Sequence, residues 1–165
     1  MNPERPLSVF SRGADSLIIN LSMHSENRKK FVSKCTEAKI DADGFLLAGG
    51  GEQPLYDNDT VWDFRQESNF QYLFGVKEPG CFGLVEFKSG KWILFVPRLP
   101  AEYAQWFGPI KPLEWFRSTY LVDSVHYIDE MSSVLVTTPR LAYYDFVNLD
   151  SGLSLAVPNQ FPGSA

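Results

Sequence analysis

The chain runs to 165 residues with a formal net charge of −5, an apolar fraction of 44%, 13 phenylalanines, 7 tyrosines and 4 tryptophans. That length and composition fit one domain with a real core and exclude a disordered chain. The acidic balance, with no basic stripe between the aromatics, argues against nucleic acid, and no segment approaches the ~20 apolar residues that cross a bilayer.

Met1–Ala14 shows no periodicity and reads as a surface arm. Leu17–Leu21 is a short strand or extended lead-in. A helix follows over 24–39, capped by Ser22 or Ser25, with Glu26 near its positive end. Phe31, Val32, Cys35 and Ala38 recur at helical spacing as its buried stripe, and Arg28, Lys29 and Lys30 read as a solvated cationic face. Phe45–Ala48 is a short buried strand that ends in Gly49-Gly50-Gly51. These glycines match neither a dinucleotide fingerprint nor a P-loop, so they predict a flexible turn. Phe70–Phe74, a strand or a short helix, closes at Gly75, and Glu78-Pro79-Gly80 is a turn. Phe82–Phe87 and Lys91–Val96 are strands joined across Lys88-Ser89-Gly90, and the apolar run Trp92–Val96 reads as a central strand covered on both faces. Ala101–Phe107 and Leu113–Tyr120 are short helices, each led by a proline. Val125–Ile128 is a strand, Asp129 caps a helix to about Thr137, Leu141–Val147 is a strand, and 148–165 is a tail or linker. Alternation of strands with short helices predicts an α/β fold with a mixed or mostly parallel sheet.

Candidate reaction centres are few. His24 and His126 lie far apart, and the pairs Asp41/Asp43 and Asp57/Asp59 sit in turns, where aspartate bonds the local backbone, so the residues predict no metal site. There is no Gly-x-Ser-x-Gly. A Cys81 nucleophile would need His126 as its activator, which leaves an unrelated small-molecule enzyme as an outlying reading. Cys35 and Cys81, in a chain without a secretory signal, read as free packing thiols in a reducing, cytoplasmic compartment. Arg65, Gln66 and Glu67 interrupt apolar runs; buried unpaired they would be costly, so they predict a structural hydrogen-bond network. Trp106 follows a short helix and precedes Phe107-Gly108-Pro109, a place where a large aromatic projects as an interface or ligand lid.

The runs FRQESNFQYLFGVKEPGCFGLVEF and LFVPRLPAEYAQWFG, together with Val125–Glu130, resemble the N-terminal domain of prolidase (Xaa-Pro dipeptidase) and aminopeptidase P. These are proline-specific metallopeptidases of the creatinase, or pita-bread, group. The similarity runs over roughly 15–152, through Asn148-Leu149-Asp150-Ser151-Gly152, and is nearer to prolidase. It implies an arm over 1–14, a creatinase/prolidase N-terminal-domain-like fold with a ribonuclease H-like motif over 15–152, and a tail or start of a linker over 153–165. It implies no catalytic residue and no cofactor in this chain, which would stop before the C-terminal domain. In the family that domain supplies two aspartates, a histidine and two glutamates to two divalent metals, usually manganese. The resemblance further implies a homodimer in which Trp106 lines the neighbouring subunit's substrate pocket, with Arg98 fixing that loop or meeting a substrate carboxylate. The implied substrates of the parent enzyme are proline-containing di- or oligopeptides, with no nucleic-acid or membrane partner. The rival implication is a free-standing scaffold domain of a catalytically dead relative, like the histone-binding members of the group.

Overall fold

The computed structural model describes residues 9–57, 59–144 and 154–156. In chain order its elements are β1 (Val9–Phe10), β2 (Ile19–Asn20), α1 (Ser22–Glu37), β3 (Gly44–Ala48), α2 (Ser68–Phe74), β4 (Phe82–Glu86) and β5 (Trp92–Val96). There follow α3 (Tyr103–Phe107), α4 (Leu113–Tyr120), β6 (Ser124–Tyr127), α5 (Met131–Leu135), β7 (Leu141–Tyr144) and β8 (Ser154–Ala156).

Among the described residues a six-stranded sheet runs in the order β6-β5-β4-β3-β7-β8, and β1 pairs with β2 as a separate ribbon. The β4–β5 hairpin sets Phe82 opposite Phe95 and Val85 opposite Trp92, and Gly90 turns it at φ +69°. β3 pairs antiparallel with β4 and parallel with β7, while β6 joins β5 in parallel. The sheet is therefore mixed and the fold α/β.

All five residues of β5 are buried. Alternation along the strand sends Trp92, Leu94 and Val96 to a face covered by Phe70 and Phe74 of α2 and Phe116 and Tyr120 of α4. Ile93 and Phe95 point the other way, against Met131 and Leu135 of α5. Each such side chain stabilises the fold by roughly 1.5–3 kcal/mol when fully buried.

Three local expectations are corrected or narrowed. First, α1 begins at Ser22, and neither Ser22 nor Ser25 caps it; Asn20 Oδ1 accepts the Ser22 amide at 2.9 Å instead. Its buried residues are His24, Asn27, Arg28 and Cys35, whereas Phe31 and Val32 are half-buried and Ala38 is exposed. Arg28 thus parts from Lys29 and Lys30: it is 1% exposed while they face solvent. Helical spacing places it on the stripe of His24 and Cys35, not on the lysine face. Second, of the strand or short helix expected over 70–74 the structure has the helix, closed at Gly75 as expected, because the Glu67 carboxylate accepts the Asn69 and Phe70 amides at 3.0 and 2.7 Å and so satisfies two of the free donors of α2. Third, Asp129 caps nothing; its carboxylate is taken by Arg98. The strand expected over Leu141–Val147 is seen to Tyr144, and its last residues lie outside the described ones. Within 148–165, Ser154–Ala156 pairs antiparallel with Leu141–Tyr143.

Candidate functional site

Gln66 ties two loops together ahead of α2. Its Oε1 accepts from the Gly50 amide at 2.6 Å and the Glu67 amide at 3.0 Å, and its Nε2 donates to the carbonyls of Val76 and Glu78 at 3.1 and 3.2 Å. The Gly49 amide donates to the Cys81 carbonyl at 2.8 Å. The first two amides of the glycine run are therefore already occupied by protein acceptors. Gln66 and Glu67 stand together as a polar network, and the Arg65 side chain lies outside it, exposed to solvent.

A second junction lies one layer away. Arg28 donates to the carbonyls of Leu73, at 3.2 Å, and Leu121, at 2.5 Å. Those oxygens end α2 and α4, where the helix dipole is negative and favours a cation. The guanidinium carbon also sits 5.5 Å from the Trp92 ring centroid. Burial lowers the Arg28 pKa to about 10, with Asp123 acting in the opposite direction, so the group is charged at neutral pH. His24 Nδ1 and Asn27 Nδ2 both reach the Tyr72 carbonyl at 3.0 Å. That oxygen only accepts, so His24 carries its proton on Nδ1. Gly75 closes α2 at φ +67°, and a Cβ there would lie 2.4 Å from His24 Nε2. None of these side chains was legible as functional; the polar spacing 24, 27, 28 was the available signal.

Trp106 and Arg98 belong to the segment between β5 and α4. Trp106 is 82% exposed and Phe107 71%. Beside them opens a cleft of about 220 Å³, whose walls include Pro97, Leu99, Tyr103, Phe107, Phe116 and Tyr127, with Glu78 and Lys111 among its polar residues. Trp106 and Arg98 do not line it; their chain neighbours do. Arg98 Nε donates to Asp129 at 2.7 Å, and its Nη2 donates to Glu130 at 3.0 Å. The guanidinium is also 3.7 Å from the Tyr127 ring centroid. Its hydrogen bonds to Asp129 raise the Arg98 pKa above its ordinary value and lower that of Asp129. The Arg98 guanidinium is thus held by Asp129, Glu130 and the Tyr127 ring.

Cys81 and His126 are not brought together. His126 faces Phe95, which faces Phe82, so His126 sits two strands from β4, on the order of 10 Å across the sheet. Cys81 packs into the core on the opposite face from Phe95. Burial raises its thiol pKa strongly, which disfavours the thiolate a nucleophile needs. Asp41 and Asp43 are both paired with Arg140. Among the described residues no three histidine, cysteine or carboxylate side chains converge to hold a metal, and no helix is long and apolar enough to cross a membrane.

The sequence and the fold match a known group. Residues 24–141 match the aminopeptidase P N-terminal domain, and the chain belongs to that family. It is 41% identical over 147 residues to the Xaa-Pro dipeptidase of Mus musculus and 40% identical to that of Homo sapiens; each match covers 87% of this chain and 30% of the relative. The chain thus spans just under a third of the length of these relatives. Aminopeptidase PepP of Pseudomonas aeruginosa shares the fold with a TM-score of 0.64 at 21% identity, over 80% of this chain and 30% of that one.

Proposed function

We propose that this chain is the non-catalytic N-terminal domain of a metal-dependent Xaa-Pro peptidase, nearest to the dipeptidases, acting in the cytoplasm on proline-containing di- or oligopeptides. Residues 15–152 make up the body of the domain, preceded by an arm over 1–14 and followed over 153–165 by a tail or start of a linker whose Ser154–Ala156 adds the edge strand of the sheet. The observation that carries the reading is Trp106: an 82% exposed indole beside an apolar cleft, in a chain 41% identical to an Xaa-Pro dipeptidase. Exposing so large an apolar ring is unfavourable in water unless a partner covers it.

In this reading the domain forms a homodimer, and Trp106 closes over the neighbouring subunit's substrate pocket, excluding water from the bond before proline. Arg98 positions the loop. The two divalent metals of such a peptidase, manganese in the first instance, would be held by polypeptide beyond this domain. The described residues here offer no donor set for them, and in this reading the chain contributes the wall of a pocket and supplies none of the reacting acids or bases.

The test is hydrolysis of Gly-Pro with added manganese, by this chain and by the longer protein its gene encodes. Activity confined to the longer protein, lost or altered in substrate range by Trp106→Ala, is the expected result. Activity in neither would favour an interaction domain of a catalytically dead relative. Activity in this chain alone would overturn the reading.

A further inference from the structure

From Arg98 to Pro112 no residue is buried, although this stretch lies between the fully buried β5 and buried Phe116. Helix α3 has no buried residue at all. Its contact with the domain runs through Tyr103 and Phe107, which stack on each other with ring centroids 4.4 Å apart and form one wall of the cleft.

The two ends of the stretch are fastened in the same way. At one, Arg98 pairs with Asp129 and Glu130 and lies 3.7 Å from the centroid of Tyr127. At the other, Lys111 pairs with Glu78 at 3.1 Å and lies 3.7 Å from the centroid of Trp115. The Glu78 carboxylate is held in turn by the Tyr120 hydroxyl at 2.5 Å. Each end is thus a cation pinned between carboxylate and aromatic ring, with about half of the cation's side chain in water. Between the ends the backbone hydrogen bonds are local turns, such as Tyr103 to Pro100 and Gln105 to Glu102. Gly108, at φ +88° and ψ −178°, supplies a joint that a bulkier residue adopts only with strain.

We propose that residues 99–110 form a hinged strap, latched by Arg98 and Lys111, that lifts to open the apolar cleft over Phe116 and Tyr127 and carries Trp106 with it. Exposed ion pairs are weak and screened by salt, so both latches loosen together as ionic strength rises. Movement of the strap changes where Trp106 is presented. Its bearing on a neighbour's substrate rests on the role given to Trp106 above; the motion itself does not, and it is measurable without peptide or metal.

Hydroxyl-radical footprinting read by mass spectrometry tests this on the chain itself. The side chain to follow is Phe116, 9% exposed beneath the strap, with Phe95 and Phe70, both 0% exposed, as internal controls. The expected result is that Phe116 oxidation rises several-fold between about 0.05 and 1 M sodium chloride, where the Debye length shrinks several-fold, while Phe95 and Phe70 do not change. The double variant R98M/K111M, measured at low salt, reproduces the high-salt pattern. Phe116 protection indifferent to both salt and the double variant would overturn the proposal, as would a rise shared by all three phenylalanines. The salt series uses the unaltered chain and does not depend on the folding of any variant.

Discussion

Arg28 and Arg98 each fasten one part of the chain to another, but Arg28 does so at 1% exposure against backbone carbonyls, and Arg98 does so half in water against carboxylates. Around Arg28, three helices converge: it leaves α1 and ends on the last carbonyls of α2 and α4. Around Arg98, a loop without a buried residue is held at its edge. Charge in the first setting is structural, since the guanidinium itself is withdrawn from water at 1% exposure and its donors are taken by helix-end carbonyls. In the second, water competes at every moment, and the same kind of cation becomes an adjustable fastening.

Breaking the buried member of this comparison has the largest expected effect. Arg28→Ala removes a guanidinium whose loss strands the carbonyls of Leu73 and Leu121 and leaves a void beneath Trp92. Leaving a buried carbonyl unpaired costs about 1–3 kcal/mol, and with two carbonyls stranded urea unfolding should show a drop of about 2–5 kcal/mol. Arg28→Lys should recover only part of it, because a single ammonium cannot span two helix ends as the planar fork does. Arg28 Nε has no partner among the described residues, so the native arrangement is itself not fully satisfied. A loss under about 1 kcal/mol for the alanine variant would mean that water reaches this junction.

The next effect is smaller and belongs to one helix. Glu67 caps α2 with both carboxylate oxygens. Glu67→Ala should cost about 1 kcal/mol of unfolding free energy, the usual worth of an N-cap. Glu67→Asp, which keeps a capping carboxylate, should restore most of it.

How much of this was legible in the chain follows the same division. The sheet was readable because Trp92–Val96 and Phe45–Leu47 are apolar runs bounded by turn residues, and local pattern dictates strands of that kind. The strap's outer face was readable too, since a tryptophan next to Gly108 and Pro109 has little chance of burial. Gln66 and Glu67 announced themselves as polar residues inside an apolar stretch. Arg28 did not. Its neighbours Lys29 and Lys30 suggested a charged face, and only tertiary geometry, with two helix ends meeting α1, makes its burial favourable. Asp129 departs from its expected capping role for the complementary reason. A capping residue is a local inference, while its actual partner Arg98 lies 31 residues away in sequence.

His24 gives the comparison a pH axis. Burial lowers its pKa from the usual 6.5, the Tyr72 carbonyl opposes that shift, and the Arg28 charge adds to it. The unfolded chain therefore binds this proton more readily than the folded one. Stability contributed in this way is complete above about pH 6.5 and is lost as the pH falls from there through the lowered folded value. Unfolding free energies from urea titration should hold from pH 7.5 to about 6.5 and then decline toward pH 5, with a slope no steeper than about 1.4 kcal/mol per pH unit from this group. His24→Gln should flatten that decline. A decline unchanged in the variant would assign it to other groups.

The smallest stability effect is expected at Arg98, and its smallness sharpens the contrast. Asp129, Glu130 and Arg98 are all half in water, so Arg98→Met exchanges two screened ion pairs for two solvated carboxylates and should leave the urea midpoint within measurement error. The same change should alter the salt response of Phe116 footprinting, because one latch would then be missing at every ionic strength. Arg28 and Arg98 would thus separate on two axes: one sets global stability with little dependence on salt, the other sets the local protection of a single cleft. If Arg98→Met instead lowered the midpoint as far as Arg28→Ala does, the strap would be part of the cooperative core, and the apolar wall of Tyr103 and Phe107, not the ion pairs at its ends, would be what holds it down.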